Sequence, residues 1–260
     1  MQRDKKWRLF LLVVFASARA SAASSPDQGL VGWWQMEEGI GRTAADASGN
    51  GNSGTLINHP LWTTGPSGRR ALAFHGNTYV TVNASRSLAN LYTTGMTVAA
   101  WIKPTNPGGG YAGRIVEKMN NWFLAMYAPS ATDVKVQFKC EDSAGAIRSH
   151  DGAIKLDAWQ HVVATWDGNG PGDGMHIYVN GVPADGASVN GNGRQPTDDA
   201  SHELIIGNRT QGRSPRGFEG SISDVRVYNR TLSAGEIRSL ASLSPPVRSA
   251  RAEITGPSSH

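Results

Sequence analysis

The chain has 260 residues and a mass of 27.7 kDa, which corresponds to one large domain or two small ones. Its 31 glycines, 8 tryptophans and 18% charged residues predict short strands joined by tight turns and argue against a helical bundle, a coiled coil or an acidic disordered chain. The net charge of +4 arises from residues 1–22, which hold five basic residues and one acidic residue, so the remainder is neutral with 20 of each. Charge therefore gives no reason to propose a nucleic acid as the partner.

The first segment of the chain has the pattern of a signal peptide. Residues 1–8 are basic, residues 9–16 (LFLLVVFA) are apolar, and Ala20-Ser21-Ala22 fits a cleavage site that needs small residues. The apolar run is too short for a transmembrane helix, which needs about 20 residues. We therefore predict a signal peptide over residues 1–22. The mature protein is expected to be secreted, in the periplasm or outside the cell, and not to span a membrane.

Short apolar runs, several with a period of two, recur after this segment and predict β-strands. In chain order the clearest runs are LVGWWQM (30–36), ALAFHG (71–76), YVTVN (79–83), MTVAAWIKP (96–104), RIVEKM (114–119), WFLAMY (122–127), VKVQFKC (134–140), WQHVVATWD (159–167), MHIYVNG (175–181), ELIIGN (203–208) and ISDVRVYN (222–229). Turns such as GNGNSG, PGGG and NGNG separate them. Many short strands with such turns predict an antiparallel β-sandwich.

One helix is predicted near the C-terminus. Ser233 and Glu236 have the spacing of a capping box, in which each side chain bonds the other residue's backbone N–H. Apolar residues follow at helical spacing, namely Ile237, Leu240 and Leu243.

The remaining chain organisation is simple. Residues 244–260 are rich in proline and serine and are expected to be disordered, which leaves residues 23–243 as one large domain.

Cys140 is the single cysteine of the chain, so no intrachain disulfide can form. The alternation in VKVQFKC places its thiol on the apolar face of a strand, and we predict that it is buried and unreactive.

Four segments taken together resemble the laminin-G-like, concanavalin A-like domains. These segments are LVGWWQMEEGIGRTAADASGNGNSGTL, MTVAAWIKP, WQHVVATWDG followed by HIYVNGVP, and LIIGNR followed by GFEGSISDVRVYNRTLSAGEI. Their order agrees with the family over roughly residues 29–243. The resemblance implies an all-β jelly roll of two curved antiparallel sheets with one short C-terminal helix. Domains of this family often bind a structural calcium ion and often recognise carbohydrate.

The loop from Asp46 to Gly54 is the candidate metal site. Calcium prefers six to eight oxygen ligands, and this glycine-rich loop offers the side-chain oxygens of Asp46 and Asn52 together with backbone carbonyls. The resemblance implies Asp224 as a second carboxylate, although many relatives have two acidic residues where this chain has Ser223 and Asp224. In the alternative interpretation, the loop is an Asx-turn that closes a hairpin.

The sequence favours a non-catalytic protein. Glycosidases of this fold have a Glu-x-Asp-x-(x-)Glu run, which is absent, and no lyase motif is recognised. His161 lies at a framework position by resemblance and is expected to be buried. A polysaccharide lyase or glycoside hydrolase remains the alternative, and a cluster of acidic, arginine and aromatic side chains on the concave sheet would indicate it.

The lead hypothesis is a secreted, calcium-stabilised module that binds carbohydrate or another extracellular ligand. Aromatic rings can stack on sugars and polar side chains can bind their hydroxyl groups. From their loop positions, the predicted ligand-binding residues are Trp34, Trp62, Tyr111, Trp122 and Arg213. A third hypothesis is a protein-binding adhesion module, which predicts an exposed apolar patch on a sheet.

Overall fold

The computed structural model describes residues 27–119, 121–130, 133–140, 145–169, 174–191, 197–209 and 216–242. Within these ranges it contains 17 strands and one α-helix, and the strands pair antiparallel in two sheets. The predicted all-β sandwich is confirmed. The predicted signal peptide, the tail from residue 244 and Leu243 lie outside the described residues.

The first sheet has eight strands. In spatial order it contains β14 (Val182–Pro183), β13 (Met175–Val179), β12 (Gln160–Trp166), β7 (Met96–Pro104), β17 (Gly220–Tyr228), β5 (Arg70–Phe74) and β4 (Leu61–Thr64), while β1 (Leu30–Trp34) also pairs with β17.

The second sheet has nine strands. In spatial order they are β15 (Asp185–Asn190), β11 (Gly145–Ser149), β10 (Lys135–Cys140), β9 (Trp122–Tyr127), β8 (Arg114–Lys118), β16 (Leu204–Ile206), β6 (Tyr79–Val82), β3 (Gly54–Ile57) and β2 (Thr43–Ala44).

Every apolar run singled out in the sequence contains a strand of the structure. Six further strands were not predicted, namely β2, β3, β4, β11, β14 and β15. Two of these are only two residues long, and Gly54–Ile57, Gly145–Ser149 and Asp185–Asn190 each include a glycine, which weakens the sequence pattern of a strand. Pairing with neighbouring strands stabilises these segments as strands.

The main hydrophobic core lies between the two sheets. It receives inward-facing side chains from most strands of both sheets, including those of Trp34, Trp122 and Phe138. Cys140 is buried in this core as a free thiol, as predicted. Burial disfavours the thiolate and raises the pKa of Cys140 far above its ordinary value, which makes the thiol unreactive.

The predicted helix, α1 (Ala234–Ser242), begins with the expected capping box. The backbone N–H of Ser233 donates to Glu236 Oε2 at 2.8 Å, and the backbone N–H of Glu236 donates to Ser233 Oγ at 3.3 Å. Apolar side chains of the helix pack on the outer face of the eight-stranded sheet and form a second, smaller cluster with residues of that sheet. The members of this cluster are Leu30, Ala99, Val163, Tyr228, Leu232, Ile237 and Leu240. No described helix is long and apolar enough to cross a membrane.

Candidate ligand-binding face

The outer face of the nine-stranded sheet presents a group of basic and aromatic side chains. We call this group the arginine face and define it as Arg114, Glu117, Phe123, Tyr127, Gln137, Lys139, Arg148 and Arg209. Most of these residues lie on four neighbouring strands, β8 to β11. Arg209 follows β16 and approaches Glu117.

The strand periodicity explains why these side chains point away from the core. On β9, Trp122, Leu124 and Met126 belong to the main core, so the alternating residues Phe123 and Tyr127 face outward. On β10, Val136, Phe138 and Cys140 belong to the core, and the polar residues between them are half-buried on the opposite face.

The cross-strand register brings residues from distant parts of the sequence into one row. Arg114 pairs with Ala125, Ala125 pairs with Gln137, and Gln137 pairs with Arg148. Adjacent strands are about 4.8 Å apart, so the Cα atoms of Arg114 and Arg148 are separated by roughly 14 Å. In the next row, Phe123 pairs with Lys139.

Two arginines of this row stack on aromatic rings. The guanidinium carbon of Arg114 lies 3.5 Å from the ring centroid of Phe123, and that of Arg148 lies 4.0 Å from the ring centroid of Tyr127. Such cation–π contacts contribute about 0.5–1 kcal/mol at exposed sites and more where water is excluded. Each ring therefore restricts the orientation of a guanidinium group.

Glu117 lies between two arginines. Its Oε2 accepts a hydrogen bond from Arg114 Nε at 2.5 Å, and its Oε1 is 3.8 Å from Arg209 Nε. Burial lowers the pKa of Arg114, and the charge of Glu117 acts in the opposite direction. Among the described side chains of this face, the three arginines therefore outnumber the single carboxylate.

Several buried polar atoms of this face lack a hydrogen-bond partner among the described residues. They are Arg148 Nε, Arg209 Nε and Thr81 Oγ1. Thr81 belongs to the same face because it pairs with Ile205, which in turn pairs with Glu117. Arg148 is restrained by the Tyr127 ring and has no carboxylate partner among the described residues, so its guanidinium group is suited to binding an anion.

The predicted metal ligand Asp46 is already surrounded by hydrogen-bond donors. Its Oδ1 accepts from the backbone N–H groups of Trp33 and Ser48, both at 2.9 Å. Its Oδ2 accepts from the backbone N–H of Asn52 at 2.8 Å and from Ser48 Oγ at 2.9 Å. Burial opposes ionisation of Asp46, but these hydrogen bonds outweigh it and lower the pKa of the carboxyl group. This geometry is that of an Asx-turn linked to β1.

The other two predicted metal ligands are similarly engaged. The side-chain amide of Asn52 donates to the carbonyl of Val31 at 2.7 Å, and its backbone carbonyl accepts from Trp34 Nε1, also at 2.7 Å. Asp224 accepts from Trp33 Nε1 at 2.5 Å and from Arg226 at 3.1 and 3.2 Å.

The side chains of Asp46, Asn52 and Asp224, as arranged here, do not fit a calcium ion. Both carboxylates are occupied by donors, and Arg226 already supplies the positive charge beside Asp224. Among the described residues, no three acidic, histidine or cysteine side chains form a group that could hold a metal. The calcium site stays a prediction of the sequence that these hydrogen bonds do not support.

The prediction of a ligand contact is wrong for two residues. Trp34 and Trp122 have no exposed surface, because the phase of the alternation on β1 and β9 turns both rings into the core. Of the adjacent pair, Trp33 is the ring that points outward. A ligand cannot reach Trp34 or Trp122 without unfolding the sandwich.

The other predicted ligand-binding residues have different positions. Trp62 is half-buried on β4 against the core. Tyr111 is 61% exposed and lies beside the arginine face, since its backbone carbonyl accepts from the N–H of Ala128 directly after β9. Arg213 lies outside the described residues.

His161 is buried, as predicted, on the outer side of the eight-stranded sheet. Its ring centroid is 5.3 Å from that of Trp101, and its Nδ1 has no hydrogen-bond partner among the described residues. Burial lowers the pKa of His161 to about 4. The imidazole is therefore neutral at pH 7.

The sequence interpretation missed the arginine face, although part of the pattern was visible. The alternation in VKVQFKC already places Gln137 and Lys139 on the face opposite to Cys140. The contributions of Arg114 and Arg148 could not be found in this way, because their neighbours come from other strands.

The two-sheet jelly roll and the family comparison agree on the class of protein. The chain belongs to the concanavalin A-like lectin/glucanases superfamily, whose family model matches residues 74–238. No curated protein is significantly similar to it in sequence.

Solved structures share the fold at low sequence identity. The binding domain of Paraclostridial mosquitocidal protein 1 has a TM-score of 0.61 and 15% identity, over 84% of this chain and 52% of that one. The binding domain of botulinum neurotoxin DC in complex with rat synaptotagmin II has a TM-score of 0.59 and 15% identity, over 84% and 52%. The chain spans about half the length of these toxin domains.

One similar structure is matched over nearly its whole length. It is domain 4 of AbnA, a GH43 extracellular arabinanase from Geobacillus stearothermophilus, in complex with arabinotriose. The TM-score is 0.57 and the identity is 17%, over 82% of this chain and 98% of that one. Structures that resemble this chain thus include complexes with a carbohydrate and with a protein.

Proposed function

We propose that this protein is a secreted, non-catalytic module that binds carbohydrate through the arginine face. The observation that supports this proposal most directly is the pair of arginine–aromatic stacks on one sheet face, Arg114 on Phe123 and Arg148 on Tyr127. The stack on Tyr127 orients the hydrogen-bond donors of the more accessible Arg148 before any ligand arrives. Pre-oriented donors reduce the entropy that is lost on binding.

The burial of Glu117 and its ion pair with Arg114 support binding without hydrolysis. Most glycosidases use two carboxyl groups about 5–9.5 Å apart, one of which must exchange a proton. Glu117 is buried and bonded to Arg114, with Arg209 on its other side. An ion pair with Arg114 inside the sheet face suits a structural role for this carboxylate.

Secretion is proposed from the N-terminal pattern of residues 1–22, which lie outside the described residues. The basic segment followed by a short apolar run and small residues supports export. An extracellular or periplasmic location fits a module whose ligand is a polysaccharide.

Binding by the arginine face can be tested with native affinity electrophoresis in gels that contain single polysaccharides. We expect polygalacturonate, alginate, heparin, arabinan or xylan to retard the full chain. Replacing Tyr127 with alanine frees the Arg148 guanidinium and should weaken the binding about two- to fivefold. The matched control is Tyr178→Ala, a half-buried tyrosine beside the cluster under α1.

Equal weakening by the two tyrosine substitutions would contradict the assignment of the face. If no polysaccharide retarded the chain, the carbohydrate proposal would fail, and a protein ligand would become the leading alternative.

A polysaccharide lyase is the second candidate, because the arginine face groups acidic, arginine and aromatic side chains on one sheet. A lyase removes the proton next to the carboxyl group of a uronic acid and expels the glycosidic oxygen, leaving a carbon–carbon double bond in one product. We expect no such product from polygalacturonate or alginate. Growth of ultraviolet absorbance during incubation with the chain, absent after heat inactivation, would establish the lyase instead.

Calcium is not expected to stabilise the chain. Because the oxygens of Asp46 and Asp224 already accept hydrogen bonds, millimolar calcium should leave the melting temperature unchanged relative to excess chelator. Thermal melting under both conditions checks this expectation. A rise in Tm with calcium that disappears in Asp46→Ala would instead confirm the metal site that the sequence predicts.

A further inference from the structure

We infer that the ligand of the arginine face is an acidic polysaccharide whose carboxylate or sulfate groups are held by Arg148 together with Gln137 and Lys139. This inference rests on the proposed function and narrows its ligand. Three observations support it: which side chains of the face are accessible, which groups cover the aromatic rings, and which charges are paired.

The accessible part of the face lies on β10 and β11. Gln137, Lys139 and Arg148 are half-buried, whereas Arg114 and Glu117 are about 5% exposed and lie deeper. Gln137 is directly opposite Arg148, and Lys139 is the next outward residue on β10. Diagonal neighbours across antiparallel strands are about 7–8 Å apart, so Arg148 and Lys139 can contact neighbouring groups of one extended ligand.

The rings of Phe123 and Tyr127 contact arginine side chains and orient them. A neutral sugar is commonly bound by stacking its apolar face on an exposed ring. Here the Phe123 ring is 7% exposed and covered by Arg114, and one face of the Tyr127 ring is covered by Arg148 at 4.0 Å. The arrangement therefore favours ligands that bind guanidinium groups over ligands that bind rings.

The balance of charge favours an anion. Glu117 is paired with Arg114, while Arg148 has no carboxylate partner among the described residues and its Nε makes no hydrogen bond. A guanidinium group presents parallel N–H donors that match the two oxygens of a carboxylate or sulfate. Gln137 can bond the sugar hydroxyl groups between successive anionic groups.

The test compares ligands that differ only in charge. The affinity of the full chain for polygalacturonate and for its methyl ester is measured by isothermal titration calorimetry. The ester lacks the carboxylate charges of polygalacturonate, and the protein is the same in both titrations. We expect binding of polygalacturonate, at least tenfold weaker binding of the ester, and an affinity that falls as salt is raised. Alginate and heparin serve as further carboxylate and sulfate probes, with arabinan as the neutral polysaccharide and double-stranded DNA as a non-carbohydrate polyanion.

A protein variant tests the same contact from the other side. Arg148→Gln should weaken polygalacturonate binding about tenfold or more, because a hydrogen bond to a charged group is lost. The matched control is Arg238→Gln, which removes the same charge from an exposed position on α1, on the opposite sheet. If Arg148→Gln fails to fold, the ester comparison on the unaltered chain still decides.

The outcomes separate this inference from the proposed function. Equal affinity for polygalacturonate and its ester, or binding of arabinan alone, would overturn the acidic ligand and leave carbohydrate binding in place. Binding of heparin without polygalacturonate or alginate would support the inference with sulfate as the anion. Equal affinity for DNA would overturn it in favour of unspecific charge attraction, and no binding to any polysaccharide would overturn both proposals.

Discussion

Replacing Asp224 with alanine is expected to lower the free energy of unfolding by about 3–5 kcal/mol, because it leaves the buried Arg226 without its carboxylate. The side chains of Asp224 and Arg226 are 5% and 6% exposed, and two hydrogen bonds join them. Asp224 also accepts the indole N–H of Trp33, whose ring packs against Arg226 at 4.3 Å. Urea unfolding at pH 7 measures the loss.

The control for this prediction is an exposed ion pair. Asp151 pairs with Lys135 at 2.7 Å, but its side chain is 85% exposed. Asp151→Ala should therefore change stability little. The double variant Asp224→Ala/Arg226→Met should lose less than the sum of the two single changes, since no buried charge is left unpaired. If Asp224→Ala cost no more than Asp151→Ala, the buried pair would not stabilise the sandwich as described.

Lowering the pH from 7 to 4 is expected to remove about 3 kcal/mol of stability through His161. In the unfolded chain the imidazole takes up a proton near its ordinary pKa of 6.5, whereas in the folded chain its pKa is about 4. Between these values the unfolded state binds more protons, so stability is present above pH 6.5 and is lost as the pH falls. Burial is the main cause, Asp224 opposes it, and Arg226 adds to it.

The measurement is a series of urea unfolding curves between pH 4 and pH 7. The difference between the unaltered chain and His161→Gln isolates the histidine from the carboxylates that also titrate in this range. His75→Gln, at an exposed position, should follow the unaltered chain. A His161→Gln variant with the same pH dependence as the unaltered chain would show that His161 does not resist protonation.

Much of the fold could be predicted from local sequence patterns. The short apolar runs identified eleven of the 17 strands among the described residues, and the Ser233–Glu236 spacing identified α1 and its first hydrogen bonds. Such features depend on residues close together in the chain, so they are visible without tertiary structure. The other six strands were missed because their pairing partners, more than their own residues, hold them in place.

The candidate site could be predicted only in part. Alternation requires that Trp33 and Trp34 point in opposite directions, but it does not say which one faces the core. That choice follows from the pairing of β1 with β17, where Trp34 lies opposite the core residue Val225 and Trp33 lies opposite Arg226. The prediction that Trp34 contacts ligand was wrong for this reason.

The sequence by itself determined the sandwich, the C-terminal helix, the buried cysteine and the alternation of inward and outward side chains along each strand. Tertiary structure alone decided the phase of that alternation and the neighbours across strands. Arg114 and Arg148 are 34 positions apart in the sequence, and the pairing of four strands places them in one row. A strand's own residues fix its period of two, whereas its register depends on the strands beside it.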